Sequence, residues 1–208
     1  MCVLLLFYRE FKDVSTFMEE LGKLLKKVNL KRKVEFSMFQ CFYPGKIEDS
    51  TYVIPYENWK KMGIQGIIYD IDNTLVPMGT ADERAIELFE HLKSWVLRPA
   101  FSLIIKEPKG EVLCRPGKSP YIYKGGKPGA KGYKKAMGIM GTDIKTTLFV
   151  GDQLFTDILG ANRLGIQTVL VKPINPKEEI QIVLKRYLEK PVLYCYRKSL
   201  KKGWIQEG

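Results

Sequence analysis

Gly66-Ile67-Ile68-Tyr69-Asp70-Ile71-Asp72-Asn73-Thr74-Leu75 is the stretch on which the reading of this chain turns. A short apolar run behind a glycine, closed by a carboxylate, has the pattern of a parallel strand buried on both faces. Such a strand delivers the residues that follow it to its C-terminal end, the edge where open α/β sheets place their ligands. Alternation along an extended chain would carry Asp70 and Asp72 to one face, where two carboxylates repel each other unless a cation lies between them.

Outward from this stretch the same grammar repeats. Thr80 and Glu83 make a capping-box pair, and Ala85, Ile86, Phe89, Leu92 and Val96 form the apolar stripe of a helix. Thr147-Leu148-Phe149-Val150 reads as another strand, ending in Gly151-Asp152, with a helix over about residues 156 to 164 that Gly165 can end. Gln167 to Val171 reads as the next strand; Asn175, Pro176 and the stripe Ile180, Val183, Leu184, Leu188 read as a further helix. Repeated alternation of strand and helix implies a doubly wound parallel sheet.

The second strand end brings Asp152 and Asp157 toward the first. A donor set made only of carboxylates suits Mg²⁺, which keeps several waters and bridges carboxylates to phosphate. The four cysteines, Cys2, Cys41, Cys114 and Cys195, are scattered, without the spacing of a zinc site or the density of a disulfide framework, and read as reduced thiols. Lys127, with Pro128 at a helix start, can bring an ammonium and a positive helix end to the same edge. Together these residues describe a phosphate site. Asp70 could attack phosphorus, and Asp72 could protonate the leaving oxygen and then activate water.

Asp70-Ile71-Asp72-Asn73-Thr74-Leu75 resembles the DxDxT nucleophile motif of haloacid dehalogenase (HAD) phosphatases, and Gly151-Asp152-Gln153-Leu154-Phe155-Thr156-Asp157 resembles their acidic motif. Lys127-Pro128 resembles the lysine motif between them. Order and spacing most resemble subclass IIIA, the branch of bacterial YqeG-like proteins and mitochondrial phosphatidylglycerophosphate phosphatases. The resemblance covers roughly residues 38 to 195. It implies a capless, Rossmann-like α/β fold with helices on both faces of the sheet, and a Mg²⁺-dependent phosphomonoester hydrolase with an aspartyl-phosphate intermediate. Carried over by position, Asp70 would be nucleophile and metal ligand. Asp72 would be the acid/base, and its backbone carbonyl would also bind metal. Thr74 would support the motif beside the phosphate, Lys127 would be the phosphate partner, Asp152 a metal ligand and Asp157 a supporting acid. An open site would admit a phosphorylated small molecule or a lipid headgroup, phosphatidylglycerophosphate by analogy.

One segment departs from the family. Where a Ser or Thr, often followed by Asn, should end the second strand to meet the phosphoryl group, the chain reads Ser102-Leu103-Ile104-Ile105, and Ser102 is the nearby hydroxyl. Counted from Lys93-Ser94 to Pro120-Tyr121, the segment has the family's length but not its residues. A frame shift between about residues 96 and 118 would leave that mark. From it follows a second expectation, a catalytically impaired HAD-fold protein that binds phosphate ligands or nucleic acid.

The flanks are read from composition. Residues 1–37 form an extension whose Phe17, Leu21, Leu24, Leu25 and Val28 make an amphipathic helix, docked on the domain or lying by its basic face on an anionic membrane. Residues 196–208 read as a basic tail. The apolar start, Cys2 to Tyr8, lacks a basic leader and is too short to span a bilayer, so the expected location is cytoplasmic, with peripheral membrane contact. Across 208 residues the net charge of +11 favours anionic partners without choosing one, and nucleic acid is expected as a partner only on that second reading.

Overall fold

The computed structural model describes residues 39–77, 83–95, 101–105, 121–123, 129–175 and 180–207. Lys127, the amphipathic stretch 14–30, and residues 96–100 and 106–118 of the atypical segment lie outside the described residues.

Among the described residues, six strands form one parallel sheet. They are β1 (Lys46–Glu48), β2 (Gly66–Asp70), β3 (Phe101–Ile105), β4 (Tyr121–Tyr123), β5 (Thr147–Gly151) and β6 (Gln167–Val171), in the spatial order β1-β6-β5-β2-β3-β4. From β2 the chain steps outward to β3 and β4, then returns to place β5 on the other side of β2. That reversal makes the C-terminal ends of β2 and β5 the topological switch point, where the loops diverge and leave a crevice. β3 pairs with β2 on one side and β4 on the other, so the strand in the atypical segment holds its place in the ladder.

The alternation of side chains divides the core. Ile67, Tyr69, Leu148, Val150, Val169 and Val171 face Tyr56 and Trp59 of α1 (Tyr56–Lys61) and Ala85, Phe89 and Leu92 of α2 (Glu83–Trp95). On the other face Ile68 and Phe149 meet Tyr133, Ala136, Met137 and Met140 of α3 (Ala130–Met140). Leu170 joins Leu154, Ile158 and Leu159, which lie on a π-helical turn (Leu154–Ile158) and α4 (Leu159–Asn162). Helices thus cover both faces, the doubly wound α/β arrangement that the strand and helix periodicities imply.

The last helix, α5 (Ile180–Lys201), runs past the domain end drawn at residue 195. Its buried face continues from Leu188 and Val192 to Tyr196 and Ser199, at spacings of four, four and three, so residues 196–201 are packed helix and not tail. Tyr196 meets Tyr43 edge to face, with ring centroids 5.5 Å apart.

Gly151 closes β5 under a close approach. A Cβ there would lie 2.8 Å from both the Asp157 side chain and the Phe149 ring. Gly151→Ala should therefore cost about 1–3 kcal/mol of stability by overpacking, read as a lower urea midpoint with an unchanged slope.

Candidate active site

Tyr69 anchors the residue that matters next. Fully buried, it packs edge to face on Phe89 (5.8 Å between centroids) and Tyr56 (6.5 Å), and it fixes the end of β2 where Asp70 emerges half-buried. The chain then turns at once. The Ile71 carbonyl accepts from the backbone N–H of Thr74 (3.2 Å), Leu75 (3.0 Å) and Val76 (3.2 Å), and Asn73 N–H donates to Val76 O at 2.8 Å. Asn73 takes φ of 63°, a left-handed conformation that Asn tolerates better than most side chains. β2 ends at Asp70, Ile71 packs in the same buried cluster as Tyr69, and Asp72 sits half-buried on the turn.

The turn is braced from two sides. Asn73 O accepts from Ile174 N–H at 2.9 Å, Asn73 Oδ1 from Asn175 N–H at 3.2 Å, and its Nδ2 donates to Asn175 O at 3.3 Å, tying the loop after β2 to the loop after β6. Thr51 Oγ1 donates to Thr74 O at 2.9 Å, and Tyr52 Oη donates to Leu75 O. Thr74 is buried and its hydroxyl donates to Asp152 Oδ1 at 3.2 Å, so it joins the two strand ends.

The carboxylates gathered at this edge are those of Asp70, Asp152 and Asp157, whose oxygens lie within 4.8 Å of one another. Asp157 is held by its own turn: its Oδ2 accepts from Gln153 N–H at 3.1 Å, and its carbonyl accepts from Tyr133 Oη at 3.1 Å. Burial pushes the Asp152 carboxyl well above the usual carboxylate range, and Asp157 and Asp70 push it further; Arg186 opposes them.

Arg186, on the first turns of α5, was not legible as a site residue. Its guanidinium donates to both Asp152 Oδ2 and Asp152 O, and it lies 3.3 Å from Glu189 Oε2. Glu189 in turn accepts from Leu154 N–H at 2.8 Å through Oε1. The available signal was an Arg-Glu pair at i,i+3, common on any amphipathic helix. Burial raises the Glu189 carboxyl from 4.5 to about 7, against the pull of Arg186. A raised folded-state value means that its contribution to stability is complete below pH 4.5 and is lost as pH rises through about 7. Glu189→Gln should flatten that fall, which denaturant titrations across the window will read.

Register fixes the place of Ser102 along β3. Ser102 pairs with Ile68, while Asp70 pairs with Ile104. At about 3.3 Å per residue, that sets Ser102 roughly 7 Å along β3 before the level of Asp70.

The HAD-hydrolase-like family model matches residues 125–174. A protein of Bacillus subtilis (strain 168) named probable phosphatase YqeG is 32% identical over 167 residues, which span 79% of this chain and 95% of that protein. Phosphatidylglycerophosphate phosphatase 1, chloroplastic/mitochondrial, of Arabidopsis thaliana is 28% identical over 188 residues; the match spans 78% of this chain and about half, 51%, of the longer plant protein. Among solved structures, an uncharacterized protein from Listeria monocytogenes serotype 4b superposes with a TM-score of 0.43 at 16% identity, over 59% of this chain and 99% of the other.

Proposed function

We propose, for a chain that belongs to the HAD-hydrolase-like family and to its YqeG-like branch, that Asp70 is the nucleophile of a Mg²⁺-dependent phosphomonoester hydrolysis. The chain is a HAD-type phosphatase, and the proposal concerns its chemistry and substrate. The observation that carries it is the meeting of Asp70, Asp152 and Asp157 at the switch point between β2 and β5.

That donor set is all oxygen, which fits a hard cation and disfavours zinc. Asp70 and Asp152 would hold Mg²⁺, with the Asp72 backbone carbonyl as the further ligand that the family implies. Bound there, the ion would offset the charge of a phosphate ester and polarise its oxygens. The protein's own groups do the rest. The Asp70 carboxylate attacks phosphorus as the ester P–O bond breaks, and Asp72 gives its proton to the leaving oxygen. Asp72 then takes a proton from water, whose oxygen attacks the aspartyl-phosphate, releasing phosphate and restoring Asp70. Lys127 would neutralise the equatorial oxygens. Phosphatidylglycerophosphate is the lipid substrate to try first, by analogy with the plant relative's name. Among the described residues no helix is long and apolar enough to cross a membrane.

The test is hydrolysis of a soluble aryl phosphate by the full chain, with Mg²⁺ and with chelator. Turnover that needs Mg²⁺ is expected. A well-folded chain without turnover would turn attention to the second reading, a binding protein on a HAD fold. Because Asp152 must lose its proton to bind a cation, Mg²⁺ binding should release protons and its midpoint should fall by up to about tenfold per pH unit. A thermal-shift titration with Mg²⁺ at several pH values reads this.

A further inference from the structure

α5 has two faces of opposite character. Its buried face, Leu188, Val192, Tyr196 and Ser199, packs inward. The opposite face carries Tyr187, Lys190, Tyr194, Lys198 and Lys201, at steps of three or four residues, which brings them onto one stripe. Tyr187 is 53% exposed, Tyr194 65%, and Trp204, just beyond the helix end, 45%. Each ring has a lysine ammonium over it: Lys190 on Tyr187 at 4.4 Å, Lys198 on Tyr194 at 5.8 Å and Lys202 on Trp204 at 4.6 Å. From Lys190 to Gln206 the chain has five basic residues, Arg197 and Lys201 with these three, and no acidic one.

We propose that this stripe is a docking surface for an anionic lipid bilayer. Large aromatic rings left in water beside lysines suit the headgroup layer, where the ring lies among the upper acyl carbons and the ammonium reaches lipid phosphate. The residue types favour this partner over nucleic acid. Single-stranded nucleic acid is taken up in grooves whose free ring faces stack on bases. Here two of the rings stand on the outer face of one helix and the third just beyond its end, each with a lysine already over it. Four of the five cations are lysines, which attract diffuse negative charge, where arginine would read phosphates bidentately. The same helix holds Asp152 through Arg186, next in sequence to Tyr187, so a bilayer on this stripe would lie near the carboxylate edge. The docking itself does not depend on any reading of the chemistry there.

The test is co-sedimentation of the full chain with vesicles of phosphatidylcholine plus phosphatidylserine, and with phosphatidylcholine alone. Binding to the anionic vesicles, weakened by salt, is expected. Replacing Lys198, Lys201 and Lys202 together by Gln should lower the partition coefficient by about a hundredfold. Tyr187→Ala with Tyr194→Ala should also lower it, while leaving the salt dependence in place. Far-ultraviolet circular dichroism checks that both variants fold, and since binding is read without turnover, an inactive site leaves the result intact. No binding, equal binding to neutral vesicles, or wild-type binding by the lysine variant would overturn the proposal. Preferential capture by single-stranded oligonucleotides, lost in the tyrosine variant, would assign the stripe to nucleic acid instead.

Discussion

Asp70→Asn should reduce turnover of a soluble aryl phosphate by about 10⁴-fold or more while the protein stays folded. The amide matches the carboxylate in shape but offers phosphorus no anionic oxygen. On the proposed mechanism covalent catalysis is then lost as a unit, because Asp72 would have no aspartyl-phosphate to hydrolyse. The fold should tolerate the change because Asp70 lies half-buried at the strand end and its anchor, Tyr69, is untouched. Removing one of three carboxylates whose oxygens lie within 4.8 Å relieves like-charge repulsion, so the metal-free variant should melt no lower than the parent. Rates measured at saturating substrate, alongside melting curves, separate the two effects. Retained turnover in the folded variant would remove Asp70 from the nucleophile's role.

Arg186→Met should lower the stability of the metal-free protein by about 3–5 kcal/mol, the usual consequence of removing one partner from a buried ion pair. The Asp152 side chain is fully buried and Glu189 nearly so, while the Arg186 side chain is 19% exposed, so solvent can do little to replace it. The sign with pH follows from the same residues. Arg186 holds both carboxyls down against burial; without it both keep their protons more tightly. The loss should therefore be small in acid, where both are protonated in either protein, and should grow as pH rises through about 7, where Glu189 titrates. If the proposed Mg²⁺ site holds, a divalent cation should recover part of it, since it would neutralise the same Asp152 carboxylate. Urea titrations of both proteins, across pH and with and without Mg²⁺, measure all three. A loss below about 1 kcal/mol, typical of an exposed pair, would show that Arg186 is no structural partner of Asp152.

Much of this architecture could be read along the chain. Ile67-Ile68-Tyr69, Leu148-Phe149-Val150 and the strand from Gln167 announce β2, β5 and β6 because central parallel strands are apolar on both faces. β1, Lys46-Ile47-Glu48, carries no such signal: it is an edge strand of three half-buried residues, and its pairing with β6 is what makes it a strand. β4, equally short, is likewise settled by its register against β3. The end of α5 was misplaced because a run of lysines reads as solvated tail, while Tyr196 and Ser199 keep the helix packed beneath them.

The sequence by itself determined the α/β class and the chemical character of the site, because strand patterning and the residue types of Asp70, Asp152 and Asp157 are local properties. Only the tertiary structure decided which groups meet. Asp152 and Arg186 are 34 residues apart, and the packing of α5 joins them; Thr74 reaches Asp152 across 78. Ser102 lies level with Ile68 by a register that β3 acquires only in pairing with β2. Distance in the chain carries no information about such contacts. They are fixed when the sheet orders its strands and the helices close on its two faces.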